Sequence, residues 1–388
     1  MNELLMIPGP VELEPTVLQA MATKTPSHIS PDFTEVFGRS LERLREVFLT
    51  REGQPFVVAG SGTLAMEMAV ANLIEPGDRV LLVDTGYFSQ RFASICERHG
   101  AEVTQVGAKL GDLPSLEEME RSLRGAKYKL LLVTHVDTST GVMVDVAPLG
   151  GLARRYGALS VVDGVCAAGG EEFRQEEWEI DICLTASQKA LGVPPGLAIV
   201  MVSPLALELF RKRRTPVGNY YADFANWLPI MEAYEARKGS YFGTPPVNLI
   251  CALGKSLEEI LEQGMEARFR RHRVISEAFK AAMTALGLTQ VPALEVGAHT
   301  MSAIYYPEGV GKELLGEIRA RGVVVAGGLH PQIKDRYFRV GHMGGVSGSD
   351  ILATVGAIEG ALQASGYSFE LGAGLVAAQK VLRELWCG

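Results

Sequence analysis

The chain has little cysteine, no long apolar run and no excess of positive charge, and each shortage excludes a class of protein. Its 388 residues include five cysteines. That odd number, without a Cys-x-x-Cys pair or other ligand spacing, fits reduced thiols better than a disulfide framework or a zinc site, so no metal is expected. No stretch reaches the roughly 18 consecutive apolar residues of a membrane span. Met1-Asn2-Glu3-Leu4-Leu5 has neither the basic start nor the apolar centre of a secretory signal. Leu385-Trp386-Cys387-Gly388 is no peroxisomal address, and the expected location is cytoplasmic. A formal net charge of −8 and a pI near 5.5 argue against nucleic acid or an anionic membrane as partner, because either needs a basic patch that displaces counterions. The basic runs Arg211-Lys212-Arg213-Arg214 and 268–273 fall at helical spacing and are expected to be solvated faces. There are no repeats or low-complexity segments.

What is present is a hydrophobic content of 47% in a chain long enough for a large domain and a smaller one. The expected division is an N-terminal arm (1–15), a large domain (16–255) and a small C-terminal domain (256–388). Apolar runs at 56–59, 78–86, 102–107, 129–136, 158–165, 182–186 and 197–202 alternate with helical patterns at 33–49, 64–74, from 87 onward and at 115–124. Strand–helix alternation with glycine-rich turns predicts an α/β fold, a mainly parallel sheet sheathed on both faces. Helices at 247–263 and 266–286, strands at 300–306, 323–326 and 337–341, and a tail helix at 371–385 make the C-terminal part α+β.

One lysine stands out. In Ile182-Cys183-Leu184-Thr185-Ala186-Ser187-Gln188-Lys189-Ala190-Leu191 an apolar run ends in a small polar turn, and Gly192-Val193-Pro194-Pro195-Gly196 follows. Apolar flanks would desolvate the ammonium of Lys189 and favour the neutral, nucleophilic amine; a lysine snorkelling out of a strand end is the plainer alternative. Upstream, the run 158–165 ends in a lone aspartate, Asp163, and carboxylates rarely end buried strands without a partner. An aspartate and a lysine at the ends of nearby strands can hold a pyridine ring between them, the lysine taking the aldehyde and the aspartate keeping the ring nitrogen protonated. Gly60-Ser61-Gly62-Thr63, between a strand and a helix, is either an ordinary turn or a phosphate seat made of free N–H groups, the helix dipole and two hydroxyls. It has neither the Lys-Ser/Thr ending of a nucleotide P-loop nor a full dinucleotide fingerprint.

Ser187-Gln188-Lys189-Ala190-Leu191, together with Val162-Asp163-Gly164-Val165, Gly60-Ser61-Gly62-Thr63 and the Thr134-His135-Val136-Asp137-Thr138-Ser139-Thr140-Gly141 element, resembles the class V (fold-type I) pyridoxal-phosphate aminotransferases, nearest the alanine–glyoxylate and serine–pyruvate group. The likeness runs from Pro8-Gly9-Pro10 to Arg339-Val340-Gly341. It implies a fold-type I transferase with a large seven-stranded domain, pyridoxal 5'-phosphate as cofactor, Lys189 as the Schiff-base residue and Asp163 as partner of the ring nitrogen. It assigns cofactor contacts to Ser61, Gly62, Thr63, Phe88, Thr138, Val165 and Gln188. Phe88 would stack on the ring, with Tyr87 as the neighbouring alternative. Gly141 would allow close backbone approach. Tyr241 and Thr244 would reach the phosphate of a neighbouring subunit in a homodimer, although a connecting loop with Thr244 as helix cap is the plainer reading. Gly9 and Arg339 would bind the substrate carboxylate; an internal salt bridge is the alternative for Arg339. His28 is a further candidate for the cofactor site, in a His-Ile-Ser segment where relatives often have His-Arg-Ser. His135, Cys166 and Cys183 are expected in the core.

The implied activity moves an amino group from alanine or serine to glyoxylate or pyruvate. A small donor is expected because no second arginine or lysine can be assigned to the pocket for a side-chain acid. The same family also contains ureidoglycine–glyoxylate, 2-aminoethylphosphonate–pyruvate and pyridoxamine–pyruvate transaminases. A cysteine desulfurase or other lyase on this scaffold would need a nucleophilic cysteine on a mobile loop, for which Cys251 and Cys387 are poor candidates. A non-catalytic binding protein would not need both Lys189 and Asp163.

Overall fold

A computed structural model describes residues 3–386; Cys387 lies outside the described residues. Seven strands form one sheet: β1 (Gln54–Ala59), β2 (Arg79–Asp84), β3 (Glu102–Gly107), β4 (Leu130–Thr134), β5 (Leu159–Asp163), β6 (Ile182–Ala186) and β7 (Leu197–Val202). Their spatial order is β1-β7-β6-β5-β4-β2-β3. All neighbours are parallel except β7, which runs antiparallel to both β1 and β6. Strands β4 to β7 are buried along their whole length, as their mainly apolar sequences require when helices cover both faces. Edge strand β3 alternates exposed and half-buried residues.

The helices begin where local chemistry sets them. Ser30 caps α1 (Pro31–Val47) by accepting from the Phe33 N–H at 3.4 Å, and Pro31 occupies the first turn, where no backbone donor is needed. The helix therefore starts two residues earlier than periodicity alone places it, and it stops before Leu49, whose φ of 51° leaves the helical region. It buries Phe33, Phe37, Leu41 and Leu44. Helices α2 (Gly62–Leu73) and α3 (Tyr87–Arg98) each follow directly on a strand.

Beyond the sheet, α4 (Val247–Gln263) and α5 (Met265–Ala285) lead to a three-stranded antiparallel sheet of β8 (Met301–Tyr305), β9 (Ala326–Gly327) and β10 (Tyr337–Gly341), with β10 in the middle. A second apolar core gathers here around Ile275, Phe279, Ile304, Phe338 and Ile358. The N-terminal segment joins it: Leu4–Leu5 pairs with Val323–Val324, and Met6 is fully buried. A third cluster, with Val11, Cys166, Ala190, Met301 and Met343, lies between the two larger cores.

One expectation about the charged surface fails. Arg268 is 6% exposed, and its guanidinium donates to the carbonyls of Gly169 at 2.6 Å and Ala190 at 2.5 Å. Arg271 donates to the carbonyls of Val346 and Gly344. This part of the basic run is a buried strut, because loop carbonyls that helices and strands leave without partners need donors.

Candidate active site

The parallel strands and β1 end on one edge of the sheet, and the residues singled out by sequence collect there. From β1 the chain turns through Gly60 and Ser61 into α2. Ser61 is the N-cap in extended conformation, and its hydroxyl makes no cap bond, so the first-turn N–H groups have no partner within the helix. Gly62 is required by contact: a Cβ there would stand 2.7 Å from Val165 Cγ2.

Asp163 ends β5, paired with Thr134 of β4 on one side and Leu184 of β6 on the other. Its Oδ1 accepts from the Val165 N–H at 2.9 Å. Burial pushes its carboxyl up to about 7. The Val165 hydrogen bond pulls the other way, buried Asp137 adds to the rise, and Lys189 and Arg91 oppose it.

Lys189 lies three residues past the end of β6 and is 9% exposed. Its Nζ donates to the carbonyl of Pro8. Burial lowers its affinity for a proton and nearby Arg339 adds to that, while Cys166 and Asp163 act in the opposite sense. Gly9 packs on the lysine stem with φ +96°, and a Cβ there would fall 2.5 Å from Lys189 Cδ and 2.6 Å from Nζ. The turn is tied down on both sides, by Gly192 N–H to Lys189 O at 2.8 Å and by Arg268 to Ala190 O.

Phe88 opens α3, and its backbone is held from a distance. The Oδ2 of Asp137 accepts from the N–H groups of Phe88 at 3.0 Å and Ser89 at 3.2 Å, while its Oδ1 takes the Ser139 N–H and hydroxyl. Asp137 is fully buried, and burial raises its carboxyl.

Arg339 sits mid-strand in β10. Its Nε donates to Gly327 O at 2.8 Å and its Nη1 to Thr138 O at 3.2 Å. Among the described residues no carboxylate comes within 4.0 Å of it, so the internal salt bridge is not found. Of five guanidinium donors, both on Nη2 stay free of these two bonds.

Ser61, Gly62, Thr63, Phe88, Thr138, Asp163, Val165, Gln188 and Lys189 line one cavity of about 170 Å³. Gly9 closes on it through Lys189, and Arg339 through the Thr138 carbonyl. Tyr241 and Thr244 are not at this cavity. Tyr241 is 64% exposed and packs against His28, with ring centroids 5.7 Å apart. Thr244 does not cap a helix, since α4 starts at Val247 with Pro246 as its N-cap. His28 also lies away from the cavity lining, its carbonyl accepting from Tyr234 OH. Gly141 has φ +74° and packs on Ala303, outside the lining. His135, Cys166 and Cys183 are buried as expected, and Cys166 in addition lines the cavity. Cys251 lies within α4, which argues against a mobile nucleophile.

Sequence reasoning missed Asp137 as the anchor of Phe88, and it missed Arg91. Arg91 reaches the cavity from α3, donates to Thr63 Oγ1 at 2.9 Å and lies 4.8 Å over the Phe88 ring. The available signal was its spacing of three residues from Phe88, which places both on one helix face. Arg91 therefore adds an arginine to the cavity lining, at the Thr63 end where α2 starts, and it leaves untouched the expectation that no further cation serves a side-chain acid of the substrate.

Comparison with known proteins identifies the family. The chain is similar to alanine–glyoxylate aminotransferase 1 of Saccharomyces cerevisiae, 40% identical over 356 residues covering 88% of this chain and 92% of that one. It is 35% identical over 388 residues to L-aspartate–glyoxylate aminotransferase of Paracoccus denitrificans, with 98% and 96% coverage. Among solved structures, ureidoglycine–glyoxylate aminotransferase from Bacillus subtilis superposes with a TM-score of 0.92 at 29% identity, covering 99% of this chain and 98% of that chain. The fold is that of a fold-type I transferase. With the Aminotransferase class-V family model matching residues 15–343, the chain belongs to the class V aminotransferases and is an aminotransferase.

Proposed function

We propose that the cavity binds pyridoxal 5'-phosphate and that the enzyme moves an amino group from a small amino acid, alanine or serine, to glyoxylate or pyruvate. The observation that carries this reading is the convergence of Lys189 and Asp163 on one cavity whose lining includes the start of α2. The donor set fits the cofactor: a helix start with two hydroxyls, a buried carboxylate, an amine between them, and Gln188 Oε1 buried without a partner.

When bound, the cofactor supplies an aldehyde for the amino group and a protonated ring that draws off the electron pair left when the substrate α carbon loses its proton. Asp163 would pair with that ring nitrogen, and a cation beside it would favour the ionised form of the buried carboxyl. Lys189 carries the cofactor. Once free, its amine would take the proton from the substrate α carbon as general base and deliver it as general acid to the carbon of the cofactor's former aldehyde, a role helped by the burial that lowers its affinity for a proton. Ser61, Gly62 and Thr63 would hold the phosphate, Phe88 would stack on the ring, and Thr138, Val165 and Gln188 would complete the contacts. Arg339 offers its free Nη2 donors to the substrate carboxylate, with Gly9 beside Lys189 on the same side.

Glyoxylate as acceptor is supported by the names of the yeast, Paracoccus and Bacillus relatives, which all carry it. We further propose a cytoplasmic homodimer in which Tyr241 and Thr244 complete the neighbour's phosphate site. The exposed Tyr220, Tyr241 and Ile29, at 78%, 64% and 59%, give apolar area for such a contact. Among the described residues, no helix is long and apolar enough to cross a membrane. The arm 1–15, the large domain 16–255 and the small domain 256–388 are the proposed units.

The test is a panel of amino donors (alanine, serine, aspartate, ureidoglycine, 2-aminoethylphosphonate, pyridoxamine and cysteine) against glyoxylate and pyruvate, followed by oxo-acid release and cofactor absorbance. Fastest turnover is expected with alanine or serine and glyoxylate. Sulfide release from cysteine without amino transfer would overturn the reading.

A further inference from the structure

We infer that Arg91 is the cation that holds the cofactor's 5'-phosphate and makes the site select the phosphorylated form of the vitamer, an inference that rests on the cofactor reading above. The argument starts from charge. A phosphate monoester carries about −1.5 to −2 at neutral pH. The start of α2 offers the equivalent of about +0.5, and the hydroxyls of Ser61 and Thr63 add dipoles but no charge. The rest of the charge must be met by a cation at the same end of the cavity.

The cavity lining contains three charged groups, Asp163, Lys189 and Arg91. Lys189 is taken up in carrying the cofactor at its aldehyde, and the other cation acting on it is Arg339. Arg91 is the one bonded to the helix start, through Thr63 Oγ1 at 2.9 Å. Its remaining partners are neutral: the Phe88 ring at 4.8 Å, and the Tyr87 ring at 5.2 Å with its phenol oxygen at 3.5 Å. Among the described residues no carboxylate comes within 4.0 Å of the guanidinium. A half-buried arginine with hydroxyl and aromatic partners and no counter-ion from the chain is suited to an anion that arrives with a ligand.

The plainer role for Arg91 is a strut that ties α3 to α2. The two roles differ in what they do to a cofactor that lacks the phosphate. Apoprotein is titrated with pyridoxal 5'-phosphate and with pyridoxal, followed by visible absorbance, for the unaltered chain, Arg91→Gln and Arg91→Lys. Ligand-free melting reports the fold of each variant. Loss of a charge-assisted contact predicts that Arg91→Gln binds pyridoxal 5'-phosphate about 10- to 100-fold more weakly, with its affinity for pyridoxal unchanged. Arg91→Lys keeps the charge without the fork that reaches Thr63, and is expected to keep most of the preference for the phosphorylated form even if it melts lower. Equal weakening of both forms in either variant, or no weakening in Arg91→Gln, would overturn the assignment of Arg91 while leaving the cofactor reading intact. If the unaltered apoprotein binds neither form, the cofactor reading fails and the inference falls with it.

Discussion

Gly9→Ala places a methyl group where the structure has Lys189, the proposed Schiff-base residue. The added carbon would lie 2.5 Å from Lys189 Cδ, 2.6 Å from Nζ and 2.8 Å from Cε, all under any real contact distance, and the φ of +96° is one that an alanine adopts at a cost of about 1–3 kcal/mol. The atoms in the way are the far end of a flexible side chain, so the lysine yields before the backbone does. Yielding breaks the Nζ bond to Pro8 O and, to restore an ordinary contact distance from 2.6 Å, moves the amine by about an ångström. The arm has other anchors in the Gly341 N–H to Met6 O bond at 2.9 Å and the Leu4–Leu5 pairing, so the fold is retained. Displacement of a reacting group by about 1 Å costs on the order of 100-fold in rate. The expected result is therefore a fall of about two orders of magnitude in kcat for alanine–glyoxylate transfer, with cofactor absorbance retained and a melting temperature only a few degrees lower. Turnover is measured by coupled pyruvate detection, and folding by circular dichroism. Unchanged kcat would refute the close packing of Gly9 on Lys189. Loss of folded protein would refute the claim that the lysine, rather than the arm, gives way.

Three further outcomes are expected. Lys189→Ala abolishes both turnover and the visible band formed with pyridoxal 5'-phosphate; a persisting band at the same wavelength would remove Lys189 from its role. For Asp163, the folded value of about 7 lies above the ordinary 3.8, so the ligand-free protein binds the extra proton and loses stability as pH rises from about 4 to about 7. The loss is on the order of 4 kcal/mol above that window. Ligand-free Asp163→Asn is then more stable than the unaltered protein at pH 8 and similar at pH 4, yet inactive; a denaturant series giving the same difference at both pH values contradicts this. Arg339→Lys, which cannot offer a bidentate fork, raises KM for both the amino acid and the oxo acid and lowers kcat/KM about 100-fold. Loss of the Arg339 bonds to the Gly327 and Thr138 carbonyls lowers the melting temperature by a few degrees, and a much larger drop would point to a structural role instead.

Sequence alone determined the features that depend on neighbours along the chain. Apolar runs bounded by turn residues located strands such as Glu102–Gly107, Leu197–Val202 and Tyr337–Gly341 at their observed ends, and the 3.6-residue pattern located Val247–Gln263. The turn at Gly60-Ser61-Gly62-Thr63 and the lysine after a buried strand were legible for the same reason, since each is a local signal in backbone freedom and polarity. Tertiary structure decided whatever depends on partners far along the chain. The antiparallel direction of β7 between β1 and β6 leaves no mark in an apolar run, because a strand buried on both faces reads the same in either direction. Arg268 looked like part of a solvated face, and only the carbonyls of Gly169 and Ala190 make it a buried strut. Asp137 anchors Phe88 across 49 residues, and Pro8 receives the Lys189 amine across 181. Arg91 meets Thr63 only because α2 and α3 start on the same edge of the sheet. The chemistry of the site is written in single residues, and its geometry is the product of packing, since long-range contacts form only once the whole sheet has placed its strand ends together.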